Sequence, residues 1–212
     1  MRWGALAWAD EDVDVITPTH VVTNALIARR ARVAAGDQSE SLLSQTSNAR
    51  WFIFGGMAPD LGLYVLTAGA AVFYPLVRGL TLEASLRLAF DDLFFNNPLW
   101  IVVQNTFHSP VVVGTLALVG KATGRGRLTS FALGCLLHTA MDIPVHHNDG
   151  PLVFFPFDWN TRFHSPLSYW DPDHYGNIIG PIDLAITVLG GSFLLASWWK
   201  RRWSAPNGSI DS

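Results

Sequence analysis

The chain carries a single cysteine, Cys135. One cysteine excludes an internal disulfide framework and every Cys-rich zinc motif. Charge is scarce as well: Asp, Glu, Lys and Arg make up 15% of residues, against about 25% in ordinary soluble domains. The formal net charge of −3 gives no electrostatic reason to expect nucleic acid as a partner. Apolar residues take the place of the missing charge. They are half of the 212 residues, with nine Trp and thirteen Phe among them, and the mean hydropathy is +0.25. So many large aromatics suit membrane interfaces or a large aromatic core. The length fits a single domain, residues 1–212.

Four apolar segments, 51–73, 98–120, 128–145 and 176–199, read as helices. A membrane-spanning helix needs roughly 20 mostly apolar residues. The first segment contains only Asp60 as a charge, the second only His108 as an ionisable group, the third His138 and Asp142, and the fourth Asp183. The basic residues fall into two sets if all four segments span. Arg29, Arg30, Arg32, Arg50, Lys121, Arg125, Arg127 and Lys200–Arg202 lie on one side, and Arg78, Arg87 and Arg162 on the other. By the positive-inside rule both termini are then cytoplasmic. A soluble all-helical protein with a large buried core is the alternative. The start of the chain, with Asp10, Glu11, Asp12 and Asp14 soon after a short apolar patch, reads as having no cleavable signal peptide.

Residues 18–35 read as an amphipathic helix capped by Thr17 or Thr19, and 36–50 as a polar linker. A second amphipathic helix is expected at Leu80–Phe90, with Glu83 and Arg87 as an i,i+4 pair. Residues 146–175, dense in Pro, Asp, Asn and aromatics, read as a long ordered loop. The expected fold is therefore all-α. It is a membrane-embedded bundle of about four spanning helices plus the N-terminal amphipathic helix.

Ionisable residues inside apolar segments are costly, by about 2.5–3.5 kcal/mol on insertion scales, and point to function. His138 and Asp142 stand four residues apart, which sets them on one helix face about 5–6 Å apart at Cβ. Two ligand-type side chains in hydrocarbon need a partner, and a divalent metal is the partner expected. Pro144 ends the helix, so His146, His147 and Asp149 are in position to curl back toward the same site. Asp60 follows Gly55-Gly56-Met57-Ala58-Pro59, where the glycines allow close helix approach and the proline frees carbonyls. His20 opens the amphipathic helix, and His108 precedes Ser109-Pro110. The candidate ligands are His20, Asp60, His108, His138, Asp142, His146 and His147. Zn²⁺ suits such a set, and Mn²⁺ or Fe²⁺ would also fit. Asp149 or Asp60 is the candidate general base. His164 and His174 lie in the loop and read as ordinary loop histidines.

Taken in order, P-T-H at 18–20, G-G-M-A-P-D at 55–60, H-S-P at 108–110 and H-T-A-M-D at 138–142 resemble the bacterial inner-membrane metal-dependent hydrolases. Their ligand pattern is similar to that of zinc-dependent phospholipase C. The runs D-I-P-V-H-H-N-D-G and F-H-S-P-L-S-Y-W-D-P-D-H-Y-G resemble a subgroup of these proteins, and the likeness covers about Pro18 to Gly176. It implies metal ligation by His20, Asp60, His138 and Asp142. His108 stands where such proteins often have His followed by Ser, and His146 or His147 where another ligand follows. A final HxxxE is absent, which implies one or two metals rather than three. The implied activity is hydrolysis of a phosphate ester or lipid-like substrate by a metal-activated water, with membrane lipid as a partner. Two other functions stay open: a membrane metal-binding or transport protein, and a structural membrane protein with His–Asp pairs between helices.

Overall fold

The computed structural model describes residues 17–36 and 41–203. The acidic cluster at 10–14 and residues 37–40 of the polar linker lie outside them. The described chain is all-α, with no strand beyond one isolated bridge between Leu152 and Arg162. Eight helices follow in order: α1 (Thr17–Ala35), α2 (Thr46–Gly55), α3 (Ala58–Arg78), α4 (Leu82–Leu88), α5 (Pro98–His108), α6 (Pro110–Ala122), α7 (Gly126–Asp142) and α8 (Gly176–Trp203). After α4 the chain passes through a π-turn at Ala89–Leu93 and one more helical turn.

Two apolar segments differ from their sequence reading. The 51–73 segment is divided between α2 and α3, because the chain breaks at Gly56-Met57 and restarts with Pro59 in the first turn of α3. The new helix runs on to Arg78 and ends at Gly79, whose φ of 66° is one that a glycine adopts without strain. The polar linker is correspondingly shorter, since α2 begins at Thr46. The 98–120 segment is also two helices, bent by 48° between His108 and Pro110. Pro110 lacks the N–H that would continue α5, and Ser109 Oγ caps α6 by accepting from Val112 N at 3.3 Å.

Among the described residues three stretches are long and apolar enough to cross a membrane: α3, α7 with its 3₁₀ extension to Val145, and α8. The bent α5–α6 pair makes a fourth if it counts as one span. Little of α3 and α8 is covered by the other described residues. Only Ala58, Pro59 and Ala70 are buried in α3, and only Gly176 and Gly180 in α8.

Close approach and polar staples hold the helices together. A Cβ on Gly134 would lie 2.2 Å from Phe52 O, and one on Gly55 would lie 2.3 Å from Phe131 O, so α2 and α7 touch backbone to backbone. Asn24 of α1 bridges both, donating from Nδ2 to Phe52 O at 2.8 Å and Gly134 O at 3.3 Å. Helices α1 and α8 run side by side in the same direction. Thr19 Oγ1 donates to Asp183 Oδ2 at 2.8 Å, and further along the Arg29 guanidinium lies 4.7 Å above the Phe193 ring. The long 146–175 loop is tied to the helices at several points. Leu152 N donates to Asn105 Oδ1 at 2.8 Å, Ser109 Oγ to Phe155 O at 2.5 Å, and Tyr169 N to Val145 O at 3.1 Å.

Candidate metal centre

The two helix breaks meet at one place. Asp60 sits in the first turn of α3 and His108 is the last residue of α5. His138 and Asp142 come in from the last part of α7, and His20 from the first turn of α1. His20, His108, His138 and Asp142 are all buried.

At the centre are two imidazole nitrogens. His138 Nδ1–H donates to Gly56 O at 2.9 Å, a carbonyl at the α2–α3 break. His108 Nδ1–H donates to Gln104 O at 2.6 Å. A carbonyl can only accept, so each neutral ring keeps a lone pair at Nε2. The two Nε2 atoms face each other at 3.2 Å. Lone pairs at that distance repel unless a cation or a proton lies between them.

Carboxylates complete the surroundings. Asp60 Oδ1 is 3.2 Å from His108 Nε2 and 3.4 Å from His138 Nε2. Three atoms spaced 3.2, 3.2 and 3.4 Å match one face of a zinc tetrahedron. Zn–N bonds of about 2.0–2.1 Å put neighbouring ligand atoms about 3.3 Å apart. Asp142 Oδ2 adjoins the same two nitrogens, at 3.0 Å from His138 and 3.5 Å from His108. Its Oδ1 pairs with His20 Nε2 at 2.9 Å, and the His20 ring stacks on His138 with centroids 3.8 Å apart. Two triads of potential ligands therefore share His138: Asp60–His108–His138 and His20–His138–Asp142. Each could hold a metal ion. Among the described residues His20 Nδ1 is buried with no hydrogen-bond partner.

A surrounding layer of polar groups orients the ligands, as such layers do in metal sites. Thr17 Oγ1 donates to Asp60 Oδ2 at 2.5 Å and also bonds the Tyr64 hydroxyl. Thr139 Oγ1 donates at 2.9 Å to His108 O, which the α5–α6 bend leaves without a helical partner. None of these was singled out in the sequence for this role. Their positions gave a signal nonetheless: Thr17 is three residues before His20, Tyr64 four after Asp60, and Thr139 next to His138.

The loop residues divide. His146 points inward, with Nε2 3.8 Å from Asp142 Oδ1 and Nδ1 3.0 Å from Asp149 Oδ2. Asp149 does not touch the cluster itself; His146 and Trp170 Nε1, at 3.1 Å, hold it. Burial works against charge on both members of the His146–Asp149 pair. Their mutual attraction outweighs it, raising the imidazole above its usual range and lowering the carboxyl below its own. Tyr169 packs its ring 5.0 Å from His146. Burial, then the charges of Asp149, Asp142 and Asp60, raise its hydroxyl well above the usual phenol range. His147 points away from the cluster. His146 is extended, at φ −117° and ψ 113°, and successive side chains of an extended backbone face opposite ways. His147 instead donates from Nδ1 to Ser165 O at 2.5 Å and stacks on His174.

No family model, curated protein or solved structure matches this chain.

Proposed function

We propose that this protein is a membrane-embedded, metal-dependent hydrolase acting on a phosphate ester or lipid-like substrate. The observation that carries the reading is the meeting of Asp60, His108 and His138 at mutual distances of 3.2–3.4 Å. Imidazole and carboxylate donors around one ion are the ligand set of catalytic zinc sites. A divalent cation there supplies Lewis acidity and makes water nucleophilic near neutral pH. The chain's own residues do the rest. Thr17 holds the outer oxygen of Asp60, leaving that carboxylate in position as ligand or base. His146 and Asp149 border the cluster on the loop side as an imidazolium–carboxylate pair, with the imidazolium in place to donate a proton.

Membrane embedding is supported by the exposed apolar surfaces of α3 and α8 and by the placing of basic residues. Ala28 packs with Ala49, and Gly126 lies against Asn48, which gathers Arg29–Arg32, Arg50 and Arg125–Arg127 at one end of the bundle. Lys200–Arg202 join them, because α8 runs parallel to α1. By the positive-inside rule that end faces the cytoplasm of the inner membrane. A site between apolar helices favours an amphiphilic substrate.

A second reading, a carrier or store for the cation, is favoured by one observation. Both α2–α3 and α5–α6 break at the level of the cluster, and interrupted helices mark ion sites in many transporters. One pair of assays separates the two. Zinc-loaded protein in detergent is given phosphodiester and phospholipid substrates, and proteoliposomes are tested for zinc uptake. Hydrolysis that is lost in His138→Ala supports the first reading. Uptake without hydrolysis replaces it with the second.

A further inference from the structure

The outer loop carries an apolar surface of its own, apart from the metal cluster. Residues 152–163 double back as a short hairpin. Leu152 and Arg162 form an antiparallel bridge, and Val153 N donates to Thr161 O at 3.3 Å. One side of the hairpin is anchored to the bundle. Leu152 and Phe155 are buried with Ile101 of α5 and pack on Val112 of α6, and Ser109 Oγ holds Phe155 O at the α5–α6 bend. The other side is bare: Phe154, Trp159 and Phe163 are exposed, and Phe157 at the turn is 85% exposed. The turn that carries them is closed on itself. Phe157 N and Asp158 N donate to Phe154 O at 2.9 and 3.2 Å. Asn160 N and Thr161 N donate to Asp158 Oδ1 at 2.7 and 3.1 Å, and Trp159 Nε1 donates to Pro156 O at 3.0 Å. These N–H groups have protein partners and do not need water. At the base of the hairpin the Arg162 guanidinium donates to Gly150 O and lies over the Phe94 and Phe95 rings.

We propose that this hairpin docks into the membrane interface, setting Phe154, Phe157, Trp159 and Phe163 among the lipids at the end of the bundle away from its basic residues. Its position follows from the Ser109–Phe155 bond, which places it at the start of α6, while Lys121 lies in the last turn of that helix. Beside it α5 exposes Leu99 and Val102, so the aromatic surface adjoins an apolar helix face. Phe, Trp and an accompanying Arg are the side chains that suit a membrane–water boundary. Asp158 and Arg162, the two charges of the hairpin, set its depth at the headgroups and keep it out of the hydrocarbon centre. The hairpin follows directly on Asp149, the partner of His146, so its docking fixes the loop side of the cluster at the lipid surface. The proposal rests on the membrane-embedded reading of the helices and adds lipid contact by a loop.

The test is fluorescence quenching on the full-length protein in phosphatidylcholine nanodiscs. A nitrobenzoxadiazole label is attached at Phe157→Cys and, in a separate protein, at Leu189→Cys of α8. Both positions are exposed, so neither change disturbs packing, and the native Cys135 is buried and stays in place. Each label is read with doxyl-labelled phosphatidylcholine in the disc and with iodide in the buffer. The label at 157 is expected to lose several-fold of its emission to the doxyl lipid and to be shielded from iodide. If iodide quenches it and lipid does not, while the label at 189 responds to lipid, the hairpin proposal is overturned and the embedded helices stand. A label at 157 shielded from both quenchers is covered by protein, a partner or a second copy of this chain, and that also overturns the proposal. If neither label responds to lipid, the embedding of the helices fails and the docking of the hairpin fails with it.

Discussion

Val65, Leu76 and Leu189 are 71%, 80% and 71% exposed, while His20, Asn24, Asn105 and His138 have at most 2% of their surface exposed. The inside and the outside of this molecule have exchanged their usual characters. Among the described residues, the buried set holds sixteen polar side chains and fourteen apolar ones, so burial of hydrocarbon does not by itself hold the bundle together. Soluble proteins keep polar residues mostly outside. A bundle surrounded by hydrocarbon gains little from burying more of it, and its helices associate through small residues and polar pairs. The Gly55–Gly134 approach, the Asn24 bridge and the His–Asp cluster are such contacts.

The contrast can be broken from the inside or from the outside. The largest effect is expected from the cluster. Asp142→Ala leaves four imidazoles, those of His20, His108, His138 and His146, without their shared carboxylate, and removing one partner of a buried pair costs about 3–5 kcal/mol. Thermal unfolding in detergent should show a markedly lower midpoint, and added zinc should raise the midpoint of wild type but not of the variant. An unchanged midpoint would mean that the cluster is not a coupled unit. The outer face comes next. Leu189→Arg puts a charge in the middle of α8, and insertion should be disfavoured by about 2.5–3.5 kcal/mol. Membrane fractionation should then show less protein in the bilayer. A variant that becomes freely soluble and stays folded would contradict lipid contact at α8.

A smaller effect is expected where α2 and α7 touch. Gly134→Ala sets a methyl group against the Phe52 carbonyl, and overpacking of this kind costs about 1–3 kcal/mol. Thermal unfolding is again the readout, with Gly69→Ala, which meets open space, as the control. The smallest belongs to the exposed pair of Glu83 and Arg87, 2.8 Å apart. Pairs of this sort on a helix surface are worth about 0.3–0.5 kcal/mol, so Glu83→Gln should leave both stability and metal content within error.

Much of this architecture could be read from residue order. The four-residue spacing of His138 and Asp142 does put both on one face of α7, directed at the cluster. Asp60 and His108 drew attention as lone ionisable groups in apolar runs, and both lie where their runs break. Hydropathy did not reveal the breaks, because averaging over a window passes smoothly across Ser109-Pro110 and Gly56-Met57. The loop was hardest to read. Nothing in H-H-N-D tells which histidine faces inward, since that depends on the extended conformation at His146. The pairing of His147 with His174 joins positions 27 apart in sequence, linked only by the folded path of the loop.

The central claim is that Asp60, His108, His138 and Asp142 hold a divalent cation. Its most direct test is zinc K-edge X-ray absorption on the metal-loaded full chain in detergent. The expected result is a stoichiometric ion with imidazole and carboxylate ligands at about 2.0–2.1 Å, lost when His138→Ala is added. A protein that takes up no zinc, or holds it unchanged without His138, would contradict the claim.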